Sequence, residues 1–151
     1  LTNRRVFTTA LTALAAAATL AASSLAATAP RTRTPTKHVV AARQNALLER
    51  KVLTTTQGLT LYSLKIERNG KFACVSTCLA EWHPLLIGAG TKPTGPVKLG
   101  TVKRSDDGKT QVTYQGMPLY TFGGDSAAGQ ANGNGIVDVG RWHVAAPPIA
   151  G

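Results

Sequence analysis

The sequence predicts an all-β fold, mainly strands with one short helix, in which two pseudo-symmetric hairpin repeats form one compact antiparallel domain. Three observations predict it. Gly58-Leu59-Thr60-Leu61-Tyr62-Ser63-Leu64 returns as Gly116-Met117-Pro118-Leu119-Tyr120-Thr121-Phe122. Trp82-His83 returns as Trp142-His143, and the Tyr spacing, 120 − 62 = 58, nearly equals the Trp spacing, 142 − 82 = 60. Two marks in one order at one spacing point to duplication, and two copies are too few for a solenoid, so the duplication lies within a domain. Third, the apolar runs are short, β-branched and punctuated by glycine turns, the pattern of strands and hairpins.

The first element in order is an export signal over residues 1–26. Asn3-Arg4-Arg5 is its basic start, an Ala/Leu/Thr stretch runs from Val6 to Ala22, and Ser24-Leu25-Ala26 has the small-x-small cleavage pattern. The apolar stretch falls short of the roughly 20 strongly apolar residues of a membrane span, so no span is expected after cleavage. Arg4-Arg5-Val6-Phe7 fits a twin-arginine signal and an ordinary basic start equally well. Residues 27–46 are Pro/Thr-rich and basic, with little to bury, and are expected to be a mobile linker. Within it, Val39–Leu48 is the one stretch with the makings of a helical turn.

The repeat domain is expected over 47–147, with repeat one at 47–97, repeat two at 98–147, and a tail at 148–151. In repeat one, Val52–Thr56 and Leu59–Leu64 flank Gln57-Gly58 as a hairpin; in repeat two, Thr110–Tyr114 and Pro118–Phe122 flank Gln115-Gly116. Pro118 belongs at a strand start or edge because it has no N–H to donate. Leu99–Arg104 reads as a further strand, with Asp106-Asp107-Gly108 as its turn. Ala73–Glu81, stopped by Pro84, is the helix candidate, and Gly129–Gly135 is a loop.

The formal charge is +10, from 17 Lys+Arg against 7 Asp+Glu. Arg31, Arg33, Lys37 and Arg43 precede Leu47 with no acid among them. Such charge favours polyanions and weakens with salt. For an exported chain the partners expected are anionic cell-envelope polymer or lipid head groups rather than nucleic acid. No motif speaks to oligomeric state.

Cys74 and Cys78 are the only cysteines, and an exported chain with an even count favours one disulfide. The loop is short, so the bond contributes only about 2 kcal/mol. A redox pair prefers C-x-x-C spacing, which differs from the C-x3-C here. His83 and His143 are the metal or haem candidates, should the symmetry bring two imidazoles together, with Met117, a carboxylate or water completing the shell. Tyr62, Tyr120, Phe122, Trp82 and Trp142 are expected in the core or, alternatively, lining a ligand face. Glu67 and Asp125 each stand three residues past the end of the repeated strand and are expected to cap a turn. No catalytic set emerges. Asp106 and Asp107 are adjacent in a turn, Ser105 and Ser126 have no assignable histidine, and Gly123-Gly124 and Gly133-x-Gly135 lack a phosphate loop's lysine. No cofactor is expected.

These marks taken together, Gly-x-x-Leu-Tyr, Tyr-x-aromatic-x-x-acid, Cys-x-x-x-Cys and Trp-x-Pro in a twice-repeated exported chain, resemble the bacterial secreted-repeat lipoprotein family of unknown function. The second copy carries the full mark, Tyr120-Thr121-Phe122-Gly123-Gly124-Asp125; the first has Leu64 for the aromatic and Glu67 for Asp. The family's Trp-Pro-Pro is Trp82-His83-Pro84 here, and no cysteine follows the apolar stretch for lipid attachment. The resemblance covers Leu48 to Ala146 and implies a secreted or envelope location without a defined activity. The expectation is a non-catalytic binding or structural module for anionic envelope components; the alternative is a metal- or haem-binding, electron-transfer protein using His83 and His143.

Overall fold

Twelve short strands make up the described part of the chain, residues 36–148 of a computed structural model. They are β1 (Thr36–His38), β2 (Val40–Asn45), β3 (Arg50–Thr55), β4 (Tyr62–Leu64), β5 (Trp82–Pro84) and β6 (Leu86–Ile87). Then follow β7 (Lys92–Thr94), β8 (Leu99–Lys103), β9 (Thr110–Tyr114), β10 (Met117–Pro118), β11 (Tyr120–Phe122) and β12 (Trp142–Val144). The signal expected over 1–26 lies outside the described residues. No described helix is long and apolar enough to cross a membrane.

The central sheet runs β12-β4-β11-β5, all neighbours antiparallel. At its middle Tyr62 of β4 faces Tyr120 of β11. Each flank repeats the other's register: β12 sets Trp142, His143 and Val144 against Leu64, Ser63 and Tyr62, while β5 sets Trp82, His83 and Pro84 against Phe122, Thr121 and Tyr120. The Trp strand of each half thus lies against the Tyr strand of the other.

Side chains alternate across a strand, so the central sheet sends its apolar residues to one face and Ser63, His83, Thr121 and His143 to the other. One face carries Tyr62, Leu64, Tyr120, Trp82 and Trp142, packed with Val52, Cys74 and Val144. Leu61 and Leu119, one step along, belong to a second core with Val39, Val40, Leu53, Ile87, Val112, Tyr114 and Ala145. Outer strands cover this second core. β2 pairs antiparallel with β3 from Val40↔Thr55 to Asn45↔Arg50. β8 pairs with one edge of β9, and β6 and β10 share the opposite edge.

At both expected turns the chain reverses, but the expected hairpins do not run their full length: β3 pairs along its length with β2 and meets the returning chain at the Thr54↔Thr60 bridge, and the stretch 118–122 divides between β10 and β11 in different sheets. The two turns also differ. Tyr114 pairs Met117 around Gln115 and Gly116, both at positive φ (52° and 75°), the two-residue hairpin turn that matches strand twist. The first loop is longer: Thr55 N–H donates to the Leu59 carbonyl (2.8 Å) across three residues, ending at Gly58 with φ 100°. The extra residue shifts the preceding strand by one. Leu61 N–H bonds the Leu53 carbonyl, whereas Leu119 N–H bonds the Val112 carbonyl, each at 2.9 Å.

Three expectations are corrected. The segment 27–46 is not linker throughout, because residues 36–45 form β1 and β2, and Val40 (0% exposed) and Asn45 (1%) are core. The apolar side chains of β3 and β9 need cover, and β2 gives β3 what β8 gives β9: 99 − 40 = 59 separates matched strand starts. Val39–Leu48 holds no helical turn; it is β2 followed by a tight turn with Glu49 at φ 51°. The helix expected over 73–81 is a 3-10 helix, Ser76–Ala80, too short for a regular α-helix.

Candidate binding groove

The residues that recur in sequence are mostly buried. Trp82 and Trp142 stack with ring centroids 3.7 Å apart and planes 11° from parallel. Tyr62 stands edge-on to Trp82 at 5.4 Å and Tyr120 edge-on to Trp142 at 5.1 Å. One carboxylate serves both indoles: Trp82 Nε1 donates to Asp138 Oδ2 at 2.9 Å, Trp142 Nε1 to Asp138 Oδ1 at 2.8 Å. Nothing before residue 142 in the repeat pattern marks Asp138, because it has no counterpart in the first copy.

Glu67 and Asp125 are both buried and both tie down the loop that follows them. Glu67 Oε1 accepts the Ala73 and Cys74 N–H groups at 2.7 Å each. Asp125 accepts the Asn132 N–H at 2.9 Å and the Tyr62 hydroxyl at 2.5 Å. Burial pushes the Glu67 carboxyl above the usual range, against the pull of its N–H donors and of Arg104. Burial raises Tyr62, helped by Asp125, and raises Tyr120, helped by Glu67. Cys74 and Cys78 form a disulfide with a Cα–Cα distance of 5.2 Å, at the ordinary separation for such a bond.

Arg104 is a functional-looking residue with a structural setting that sequence reading misses. It is 2% exposed and donates to Asp106 through Nε and Nη2 (2.9 and 2.8 Å), to Gln111 Oε1 (2.7 Å), to the Tyr120 hydroxyl (3.2 Å) and to the Cys74 carbonyl (2.9 Å). Phe72 lies under its guanidinium at 4.8 Å. Asn45, at 104 − 45 = 59 residues earlier, is the matched buried polar group, bonding the Gly129 carbonyl and the Leu48 N–H at 2.9 Å each.

His83 and His143 do not converge. Their strands, β5 and β12, are opposite edges of the four-stranded central sheet, with β11 and β4 between them. Trp82 and Trp142 turn inward to stack, so the adjacent histidines leave by the other face. His83 is exposed and His143 half-buried. Burial and the charges of Lys65 and Arg141 hold His143 below the ordinary histidine range. No cluster of three or more His, Cys, Asp or Glu suited to a metal occurs among the described residues.

Concave surface lies instead over the outer strands. A hollow of about 610 Å³ is lined by Pro96, Val97, Lys98, Leu99, Tyr114 and Pro148, among others. A second, about 490 Å³, is lined by Ala42, Arg50, Lys51, Pro96, Ala146, Pro147 and Pro148. The two share Pro96 and Pro148. A third of about 170 Å³ shares Arg50 with the second and adds Lys65 and His143. Four Lys or Arg line the three hollows, with no Asp or Glu. Of the candidates named from sequence, Gly116 lines the first hollow, and His143 and the β10 methionine Met117 line the third.

The acids explain that imbalance. Of the seven in the chain, Glu67 and Asp125 are buried, Asp138 holds the indoles, and Asp106 and Asp107 pair with Arg104 and Lys109. Arg104 draws the Asp106 carboxyl below its usual range, and the Lys109 N–H does so for Asp107. Glu49 and Glu81 remain exposed. Among the described residues no ion pair engages Arg43, Arg50, Lys51, Lys65, Arg68, Lys71, Lys92, Lys98, Lys103 or Arg141.

Residues 100–146 match a family described as a secreted repeat of unknown function. The matched stretch is most of the second copy, with Tyr120, Phe122, Asp125 and Trp142 inside it. No curated protein and no solved structure matches the chain.

Proposed function

We propose that this chain, whose residues 100–146 carry a secreted repeat of unknown function, is a non-catalytic module that holds anionic material of the cell envelope or extracellular space. One observation carries the reading: five of seven acids are engaged within the fold, and among the described residues ten surface Lys and Arg stand outside any ion pair. The effective outer charge is therefore more positive than a residue count suggests, and free cations attract polyanions over about a Debye length, roughly 8 Å at physiological salt. The repeated Tyr, Trp and acid residues support the fold, so specificity belongs to the cationic surface and its hollows. The separation of His83 from His143 favours this reading over a shared metal or haem site.

The test is retention of the purified protein on anionic envelope preparations across a salt series. Release by roughly 0.5 M salt, where screening is strong, is the expected result. Retention indifferent to salt would sink the charge reading.

A further inference from the structure

We infer that the two adjoining hollows across Pro96 and Pro148 form a binding site for a single-chain amphiphile with an anionic head, a carboxylate or a phosphate monoester. The inference deepens the proposed affinity for anions and rests on it for its charge argument. It adds the apolar half of the ligand, which a purely electrostatic surface would not need.

The floor is the first ground. Pro96, Val97, Leu99, Pro147 and Pro148 contribute hydrocarbon, and the three prolines have no N–H. Thr113, Tyr114 and Gln115 add polar groups to the first hollow, but this hydrocarbon suits an alkyl chain, whose burial is favoured in proportion to area. Each hollow, at about 610 and 490 Å³, falls within the range of small-molecule sites. Pro96 and Pro148, both exposed, line both hollows, so the two adjoin along an apolar strip that a linear chain can follow.

The rim is the second ground. Lys98 stands at the first hollow and Arg50 and Lys51 at the second, all exposed and none in an ion pair among the described residues. No carboxylate lines either hollow, so a ligand's acidic head meets attraction with no internal competitor. A fully anionic polymer would leave the proline floor unused. A neutral lipid would leave the three cations unused.

The experiment is titration calorimetry of the full chain with dodecanoate and with dodecyl phosphate below their micelle concentrations. A neutral dodecyl glycoside and inorganic phosphate serve as comparisons. Saturable binding near one per chain is expected for at least one of the two anionic amphiphiles, and the tighter of the two identifies the head group. The neutral glycoside should bind at least about tenfold more weakly and phosphate alone not measurably, a difference of roughly 1.4 kcal/mol or more. Arg50→Glu with Lys98→Glu should weaken binding at least tenfold with the fold intact by circular dichroism, and Val97→Asp should do the same through the floor. Lys71→Glu with Lys103→Glu, outside the hollows, should change it little. Absence of saturable binding, equal binding of phosphate alone, or indifference to both groove variants would overturn the site. Salt-sensitive envelope retention without amphiphile binding would overturn the groove alone. Amphiphile binding without retention would overturn only the envelope reading.

Discussion

Asp138 is the residue on which the aromatic core turns. Its two oxygens take the two indole N–H groups of stacked, buried tryptophans. Asp138 is itself exposed, so water can reach the freed donors, and Asp138→Ala should cost about 1–2 kcal/mol in urea unfolding. Asp138→Asn keeps only one good acceptor and should fall between. His143 gives the pH signature. Above the ordinary histidine pKa the imidazole is neutral in both states, and folding gains nothing from it. As pH falls through that range the unfolded chain takes up the proton first, because burial, Lys65 and Arg141 depress the folded pKa. Stability should therefore fall with pH below about 6.5. His143→Gln should flatten that decline, and parallel unfolding curves for the two proteins at pH 7.5 and 5 would refute it. At this scale the sequence exposes the tyrosines, tryptophans and cysteines because they recur or stand alone. Arg104 and Asn45 escape notice because arginine and asparagine are surface residues by default, and only the contacts of a completed fold show them enclosed.

The hairpins carry the next scale. Gly116 sits at φ 75° in the tight second turn, with Asn69 Oδ1 3.2 Å from where a Cβ would stand. Gly58 sits at φ 100°, and its Cβ would meet the Ala128 side chain at 2.8 Å. Gly116→Ala should cost roughly 1 kcal/mol for left-handed backbone. Gly58→Ala should cost more, since strain and collision add, and equal costs by chemical denaturation would refute the contact with Ala128. Cys74→Ser with Cys78→Ser should lose about 2 kcal/mol by the loop-entropy estimate, a fall visible in the unfolding midpoint. Turns are legible before the fold is known because their glycines have local reasons. Strand β2 is not: Ala41-Ala42-Arg43-Gln44 has no β-branched residue, and its pairing comes from β3, whose Val52 and Leu53 are buried. The same dependence makes 27–46 read as linker, although Val40 closes a core.

At the scale of the molecule the two copies are crossed rather than side by side. Ala145 N–H donates to the Leu61 carbonyl and Leu53 N–H to the Ala145 carbonyl, both 2.8 Å; Leu85 N–H donates to the Leu119 carbonyl and Val112 N–H to the Leu85 carbonyl, both 2.9 Å. Each copy lends its Trp-bearing segment to the other. Neither copy should therefore fold alone: residues 98–147 by themselves, or a chain ending before Trp142, should give circular dichroism of an unfolded peptide. A cooperative transition from either fragment would refute the crossing. The recurring motifs are readable from spacing, but the exchange is not, because motif order is identical whether a strand pairs with its own half or across. One consequence reaches beyond the finished structure. The edge of β4 that receives Trp142–Val144 stays open until nearly the last described residues arrive. A chain threaded from its N-terminus through a narrow channel would emerge with its first Tyr strand bare on one side. It would hold that strand as an unpaired template until release of the far end, so the interval between emergence and closure is when this protein is most exposed to proteases and to its own neighbours.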